Sequence, residues 1–436
     1  MSTRRQWMQG AALAAAGAPM IVKASALGRE GATAPSDRVT VANIGLGWMG
    51  FDGHVKDFLK VKGAQTVAVC DIDETHLTDA KAFIDKAHGD QGCTPYHAFE
   101  EVLMRRDIDA VSIAVPDHWH ALIAVQAARA KKDIYCEKPL AHTFHEGLMM
   151  VEESERQGRV WQTGSWQRSV ANFHQACELV RNGRIGKVHS IEVGLPSGFY
   201  GLKDPARQLK VTDPPKTLFY DRWLGPAPEA PYCEARVHVN WRWNLDYGGG
   251  QLMDWIGHHV DIAHWGMGWD DNGPVEVEGV GEYPPHTDLF NAAKKYKVHC
   301  TYPDGTTMVI AGGYPEIRSG TKWIGEKGWV YVDRGKIDAS EKSLLSEKIG
   351  ENEIHLKDNG GDAHGHYEEF IECVKSRGKT LTPARVALHS ATPGWLGQIA
   401  MLTGRKIHWD PKKFEIASDE EATKLLSRNM RAPYQL

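Results

Sequence analysis

Val39-Thr40-Val41-Ala42-Asn43-Ile44-Gly45-Leu46-Gly47-Trp48-Met49-Gly50 is a short apolar run that ends in glycines spaced G-x-G-x-x-G. Glycines alone are a weak signal, because any turn uses them. Here a strand pattern precedes them and a helical pattern follows. Asp71 then stands 21 residues after Gly50, closing a second apolar run, Val67-Ala68-Val69-Cys70. That context is what a dinucleotide-binding turn requires. The first glycine permits the tight turn, the second lets backbone N–H groups approach a pyrophosphate, and the third lets helix and strand pack closely. The helix N-terminus favours the negative charge.

Gly45, Leu46, Gly47, Trp48, Met49 and Gly50 are therefore candidates for holding the cofactor. Asp71 suits the adenosine ribose hydroxyls. No arginine follows it in Asp71-Ile72-Asp73-Glu74, and these acids would repel a 2′-phosphate, so the expected cofactor is NAD rather than NADP. The alternative is that the acids only cap a helix at Thr75.

Outward from this stretch, strand-like runs at 39–44, 65–70, 110–115 and 133–136 alternate with helical patterns at 75–88, 98–105 and 120–130. Such alternation predicts a parallel sheet with helices on both faces. A chain of 436 residues suits two domains. Hydrophobic content of 42% is ordinary for a soluble globular protein, and a formal charge of -5 argues against a general nucleic-acid binder. No apolar run reaches the roughly 18 residues of a membrane span. The seven cysteines are scattered without metal-ligand spacing, so they read as buried free thiols rather than disulfides or a zinc site.

Residues 1–30 are of another kind. Thr3-Arg4-Arg5-Gln6-Trp7-Met8 precedes an Ala-rich stretch, and Ala24-Ser25-Ala26 offers the small residues of a cleavage site. The segment resembles a twin-arginine export signal, with Trp and Met where that pattern prefers Phe and Leu. It implies a periplasmic protein; the alternative is a tail with two arginines by chance.

Asp133-Ile134-Tyr135-Cys136-Glu137-Lys138-Pro139-Leu140, following Val115-Pro116-Asp117-His118-Trp119-His120, makes the resemblance specific. A strand ending in Glu-Lys-Pro at that place resembles the glucose–fructose oxidoreductase / inositol dehydrogenase / MocA family. Leu224-Gly225-Pro226-Ala227-Pro228, Gly248-Gly249-Gly250 and Arg431-Ala432-Pro433 resemble an exported branch of it. The NAD-dependent N-acetylgalactosaminidases of the superfamily are set apart by a Tyr-x-Thr-His-Gly segment in place of Glu-Lys-Pro; this chain has the latter only.

The resemblance implies a Rossmann domain over 37–164 and an α+β domain over 165–436, built on a large, open, mainly antiparallel sheet. It implies a carbohydrate substrate held in the cleft beside the nicotinamide, and a homodimer or homotetramer joined through the sheet. It adds Pro116, Glu137 and Lys138 to the cofactor contacts. The residues of the second half agree: strand-like segments at 188–193, 275–280, 298–302, 306–310 and 329–332 are separated by Gly, Pro and Asp. Helical patterns return at 367–376 and 385–402, the latter interrupted near Pro393-Gly394.

Oxidising a secondary alcohol requires a base within about 3 Å of the hydroxyl, with a pKa near the working pH. Lys138 is the family's candidate. A second element is Asp254-x-x-x-His258. If 251–266 is one helix, these two residues share a face, and Asp261 and Trp265 continue the stripe. The spacing matches the family's catalytic pair, so Asp254 and His258 are carried over, with His258 as acid/base or orienting group. His259 points away and reads as structural. On spacing alone Asp254, His258 and Asp261 also admit a metal, which family and composition disfavour.

Arg168, after the strand at 160–163, is either a contact to substrate or nicotinamide amide or a plain surface arginine. His120 either packs beside the nicotinamide pocket or caps a helix. Trp223, Trp241, Trp243, Trp255, Trp265 and Trp269 offer faces for sugar rings or simply fill the core; Trp241-Arg242-Trp243-Asn244 is the cluster best suited to a sugar.

Together these features predict an NAD(H)-dependent oxidoreductase acting on a secondary hydroxyl of a sugar, glycoside or cyclitol. Export would require the cofactor to travel bound, which favours a reaction that returns the hydride. The alternative is a redox-neutral enzyme that cleaves or epimerises through a keto-sugar. A non-enzymatic NAD-sensing protein is disfavoured by Lys138 together with His258.

Overall fold

Local chemistry accounts for the first elements of the computed structural model, which describes residues 37–199, 203–286 and 288–436. The export signal expected at 1–30 lies outside these. Six parallel strands, β1 (Val39–Ile44), β2 (Ala64–Cys70), β3 (Thr94–Tyr96), β4 (Ala110–Ile113), β5 (Asp133–Cys136) and β6 (Trp161–Thr163), form a sheet in the order β3-β2-β1-β4-β5-β6. β4 and β5 are buried at every position, as a sheet covered on both faces demands. The order reverses between β1 and β4, and ligands of such sheets sit at the strand ends by that switch.

The helices between them are capped as their sequences dictate. Asp73 accepts from the backbone N–H of Thr75 at the start of Glu74–His88, and Gly89 (φ 72°) closes it in the left-handed region. Thr143 and Glu146 form a reciprocal capping box on Phe144–Arg156.

The second sheet has nine strands: β7 (Val188–Leu195), β8 (Glu276–Glu282), β9 (Lys295–Thr301), β10 (Thr307–Gly312), β11 (Gly320–Gly325), β12 (Gly328–Asp333), β13 (Lys336–Ala339), β14 (Ile407–Asp410) and β15 (Glu415–Ile416). Their order is β13-β12-β11-β7-β10-β9-β8-β14-β15, and every pairing is antiparallel except β7 with β10. β11 escapes sequence reading because Gly320-Thr321-Lys322 lacks a clear period. Both sheets belong to one compact unit, Val39–Leu436. The chain returns late to the first sheet: in helix Gly365–Ser376, Tyr367 stacks on Tyr135 and Phe370 packs on Phe58 and Tyr135.

Two expectations change. Helix Ala384–Thr403 runs unbroken through Pro393, because its residues from Val386 to Gly397 are all buried and tertiary packing outweighs the lost backbone bond. The single helix expected over 251–266 is Gly250–Trp255, then a wide π turn at Ile256–Val260, then Asp261–Met267. One extra residue in a turn rotates everything after it by roughly 100°. Asp261 therefore leaves the face shared by Asp254 and His258.

Among the described residues, no helix is long and apolar enough to cross a membrane.

Candidate active site

The glycine turn fits a dinucleotide by its own geometry. Gly45 has φ 86°, and a Cβ there would lie 2.4 Å from the Ala114 carbonyl oxygen. A Cβ on Gly50 would lie 2.0 Å from the Gly45 carbonyl oxygen, so helix and turn pack as the third glycine requires. Gly47 is different: nothing stands within 4 Å of its would-be Cβ, and it lines a cleft of 730 Å³. Trp48 and Met49 line the same cleft, while the Leu46 side chain goes into the core and its N–H donates to Asp71 Oδ2 at 2.6 Å. Asp71 Oδ1 accepts from the Asp73 N–H at 2.8 Å, which fixes the carboxylate at the adenosine end. His76 and His238 stand beside Asp71 and Asp73 on that wall.

A segment from 203 to 247 covers this end. Leu218 bridges to Asp73, the Phe219 N–H donates to the Ile72 carbonyl at 3.0 Å, and Arg222 grips Glu100 at 3.1 Å. Leu218, Trp223, Tyr232, Val237 and Tyr247 form a small core of their own that packs on Ile72.

At the other end, β5 delivers Glu137 and Lys138. Glu137 is buried, 3.0 Å from His54 Nε2, and a Cβ on Gly164 would lie 2.5 Å from its Oε1. Burial alone would raise this carboxyl, but the His54 hydrogen bond and charge outweigh it and hold the group below its ordinary range. Lys138 Nζ donates to Asp254 Oδ1 at 3.0 Å and to the Asp254 carbonyl at 2.8 Å. Arg242 Nε reaches the same Oδ1 at 3.0 Å. Burial works against ionising Asp254, yet Lys138 and Arg242 together keep it below the usual carboxylate range.

His258 completes the group, with Trp255 at 5.3 Å and Trp166 at 6.0 Å between ring centroids. Its Nδ1 is buried and has no hydrogen-bond partner. Burial, then Lys138 and Arg334, push its pKa well below the ordinary histidine value, so the ring is neutral. A neutral imidazole beside a lysine can accept or relay a proton at the cleft. Pro116 also lines this region.

Some residues fall elsewhere. Arg168 is no substrate contact: its guanidinium is fully buried, with Nε and Nη2 on Asp261 at 2.7 and 2.9 Å and Nη1 on Asp270 at 3.0 Å. Burial would discharge it, but the two carboxylates hold it above its ordinary range. It is neither a cleft residue nor a surface one. His120 does not line the cleft either; its Nδ1 and Nε2 face the carbonyls of Pro139 and Val115 at 2.9 and 3.0 Å, tying the ends of β4 and β5 together behind it. Asp254, His258 and Asp261 do not assemble as a metal site, because the π turn sends Asp261 to Arg168. His259 contacts Gln167 and Asp333, out of the cleft. Of the six tryptophans, Trp223, Trp241 and Trp255 line the cleft, whereas Trp243, Trp265 and Trp269 are core.

Asp117, Trp166, Arg334 and Gly257 are among the cleft or supporting residues that were not foreseen. Asp117 lies on the cleft wall near Lys138 and Asp254, and burial raises its carboxyl well above the usual range. Trp166 and Arg334 line the cleft from the second half. Gly257 supports it: a Cβ there would meet Lys138 Cβ at 2.7 Å. The only forewarning in the sequence was a glycine in mid-helix, which is costly unless close packing needs it.

Comparison with known proteins accords with this geometry. Residues 39–165 match a family model described as an oxidoreductase family with an NAD-binding Rossmann fold. Residues 169–436 match the C-terminal alpha/beta domain of the same oxidoreductase family. The chain is similar to the myo-inositol 2-dehydrogenase of Thermotoga maritima, 30% identical over 337 residues, which is 75% of this chain and 81% of that protein. A glycosyl hydrolase family 109 protein of Shewanella pealeana is 33% identical over 170 residues, 35% of this chain and 37% of that one. The aldose-aldose oxidoreductase of Caulobacter crescentus shares the fold, with a TM-score of 0.63 at 20% identity, covering 85% of this chain and 99% of that one. The protein belongs to the glucose–fructose oxidoreductase / inositol dehydrogenase / MocA family of NAD-binding oxidoreductases.

Proposed function

We propose that this protein oxidises a secondary hydroxyl of a sugar, glycoside or cyclitol, with Lys138, Asp254 and His258 as the residues that handle the proton. The observation that carries this reading is their convergence in one cleft with the glycine turn and Asp71. When bound, NAD supplies the hydride acceptor. Lys138 is placed to take the hydroxyl proton; Asp254, shared between Lys138 and Arg242, fixes the lysine and bonds a neighbouring hydroxyl. His258, neutral and unpartnered at Nδ1, relays the proton or orients the reacting oxygen. Trp166, Trp241 and Trp255 offer indole faces to the C–H face of a sugar ring. The inositol dehydrogenase relative supports a polyol or sugar substrate.

A second reading has its own support. The segment over the adenosine end favours a cofactor that stays bound, and the partial similarity to a glycosyl hydrolase family 109 protein points to bond cleavage. In that path, oxidation of a ring carbon acidifies the neighbouring C–H. Loss of that proton expels the glycosidic oxygen, water adds in its place, and the returned hydride reduces the ketone. The net change is hydrolysis. Residues 1–30 support export to the periplasm, where a retained cofactor would be needed. The broad second sheet, with Glu192, Lys297 and Val309 half-exposed on it, supports assembly as a homodimer or homotetramer.

One experiment separates the readings. Protein purified without added cofactor is denatured and its released nucleotide quantified, and sugars are then screened for net NADH and for product. NADH formed stoichiometrically with added NAD supports the dehydrogenase. Near-equimolar bound NAD(H) with sugar conversion and no net NADH supports the redox-neutral cycle. Turnover that survives loss of Lys138 would overturn both.

A further inference from the structure

At the adenosine end, the covering segment 203–247 meets the start of helix Glu74–His88 twice. One meeting is backbone: the Phe219 N–H donates to the Ile72 carbonyl at 3.0 Å, and the Glu74 N–H to the Thr217 carbonyl at 2.9 Å. The other is made by side chains. His238, from the segment, turns Nε2 to Asp73 Oδ2 at 3.8 Å, and its ring centroid lies 5.2 Å from that of His76. One ligand atom each from Asp73, His76 and His238 lies within 4.8 Å of the other two. Among the described residues, no other three histidine, cysteine or acid side chains converge in this way.

The surroundings suit these three side chains to a cation. Asp73 is buried, and the Thr75 N–H donates to its Oδ1 at 2.9 Å, which fixes the carboxylate with Oδ2 toward His238. Asp71 Oδ2 stands 3.7 Å from His76 Nδ1. A carboxylate beside an imidazole orients the ring and raises its basicity toward a metal. Asp71 is not one of the three: the Leu46 and Asp73 N–H groups hold it in place for the ribose. Tetrahedral zinc keeps its ligand atoms about 3.4 Å apart, so the site closes by shifts of about an ångström. The His238 side chain, 45% exposed, has the room to make them. The seven cysteines, which would compete for such a metal, are all buried.

We propose that Asp73, His76 and His238 bind one zinc-type divalent cation, which clips the covering segment to helix Glu74–His88 and slows exchange of the dinucleotide beneath it. Two imidazoles and one carboxylate are ligands that zinc accepts, with water in the fourth position. Magnesium and calcium, which prefer oxygen throughout, fit this set poorly. The inference rests on NAD in the cleft and is independent of which alcohol is oxidised, so failure of the sugar reading would leave it standing.

The test has two arms, both on chelator-stripped protein loaded with NADH. Calorimetric titration with zinc chloride should show one site per chain, and magnesium chloride should not fill it. H76Q and H238N should each weaken zinc binding at least about tenfold, as loss of a ligand demands. Asparagine is chosen at 238 because the backbone there is left-handed, φ 54°, and Asn tolerates that region. In the second arm, NADH is displaced by excess NAD and its release followed by fluorescence. Zinc should slow release about tenfold or more in the wild type, equivalent to about 1.4 kcal/mol, and leave H238N unaffected. Absence of a saturable zinc site, zinc binding that neither variant weakens, or zinc that leaves NADH release unchanged or hastens it would overturn the proposal.

Discussion

Replacing Asp254 by asparagine removes one charge and strands two. Lys138 and Arg242 both converge on Asp254 Oδ1 at 3.0 Å, and all three side chains are mostly buried, at 13 to 15% exposure. Removing one partner of a buried ion pair costs about 3–5 kcal/mol, because the survivor keeps its desolvation penalty. An amide still accepts one hydrogen bond, and some water reaches the site, so a loss of about 3 kcal/mol is expected for D254N. That would lower the melting temperature by several degrees in a chain of this size. Adding R242Q should recover part of the loss, since it removes one stranded cation. Turnover should fall on the order of 10²-fold, the contribution of a positioned acid–base group. If Asp254 acts by holding Lys138, D254N should cost little further once Lys138 is already methionine. The assays are thermal melting and NAD reduction across a sugar panel for the two single variants and the double. Equal losses from D254N in both backgrounds, or a D254N protein that melts and turns over like wild type, would refute this account of the triad.

G257A should cut turnover about tenfold or more with NAD affinity retained, because its Cβ meets Lys138 Cβ at 2.7 Å. Alanine normally stabilises a helix interior by about 1 kcal/mol over glycine, so a fall in urea stability would identify the clash and a rise would refute it. D71S should improve NADP binding relative to NAD by about tenfold or more in fluorescence titrations, as it removes the carboxylate nearest the ribose; an unchanged ratio would move cofactor selection elsewhere. Acid should destabilise the fold through buried histidines. Burial pushes His118 and His264 down to about 3 and His259 to about 4, so these rings are neutral when folded and protonate near 6.5 when unfolded. Their stabilising effect is complete above about pH 6.5 and drains as pH falls toward the folded values, at about 1 kcal/mol per pH unit for each. Urea midpoints that stay level from about pH 7 to about pH 5 would contradict this.

What the sequence disclosed and what it concealed divide along the range of the interactions. The turn at Gly45–Gly50 was legible because its chemistry is local: a strand, three glycines and an acid define it within one βαβ unit. Lys138 with Asp254, 116 residues apart, was reached through family resemblance, and no periodicity could have joined them. Arg168 was misread because proximity to a strand end suggests the cleft, whereas its place is set by Asp261 and Asp270, 93 and 102 residues onward. The π turn at Ile256–Val260 decided that outcome, since a regular helix would have put Asp261 beside His258. Gly257 was its one visible trace: the same absent side chain that lets Lys138 approach sits inside the widened turn. Arg334 looked like any arginine in a Gly-containing turn, and only the pairing of β12 with β13 sets it against Trp166 and Trp255. The cofactor end is thus written in contiguous residues, as a ligand held by backbone demands. The substrate end is assembled from side chains of distant segments: Lys138 follows β5, Asp254 lies in helix Gly250–Trp255 and His258 in the π turn after it.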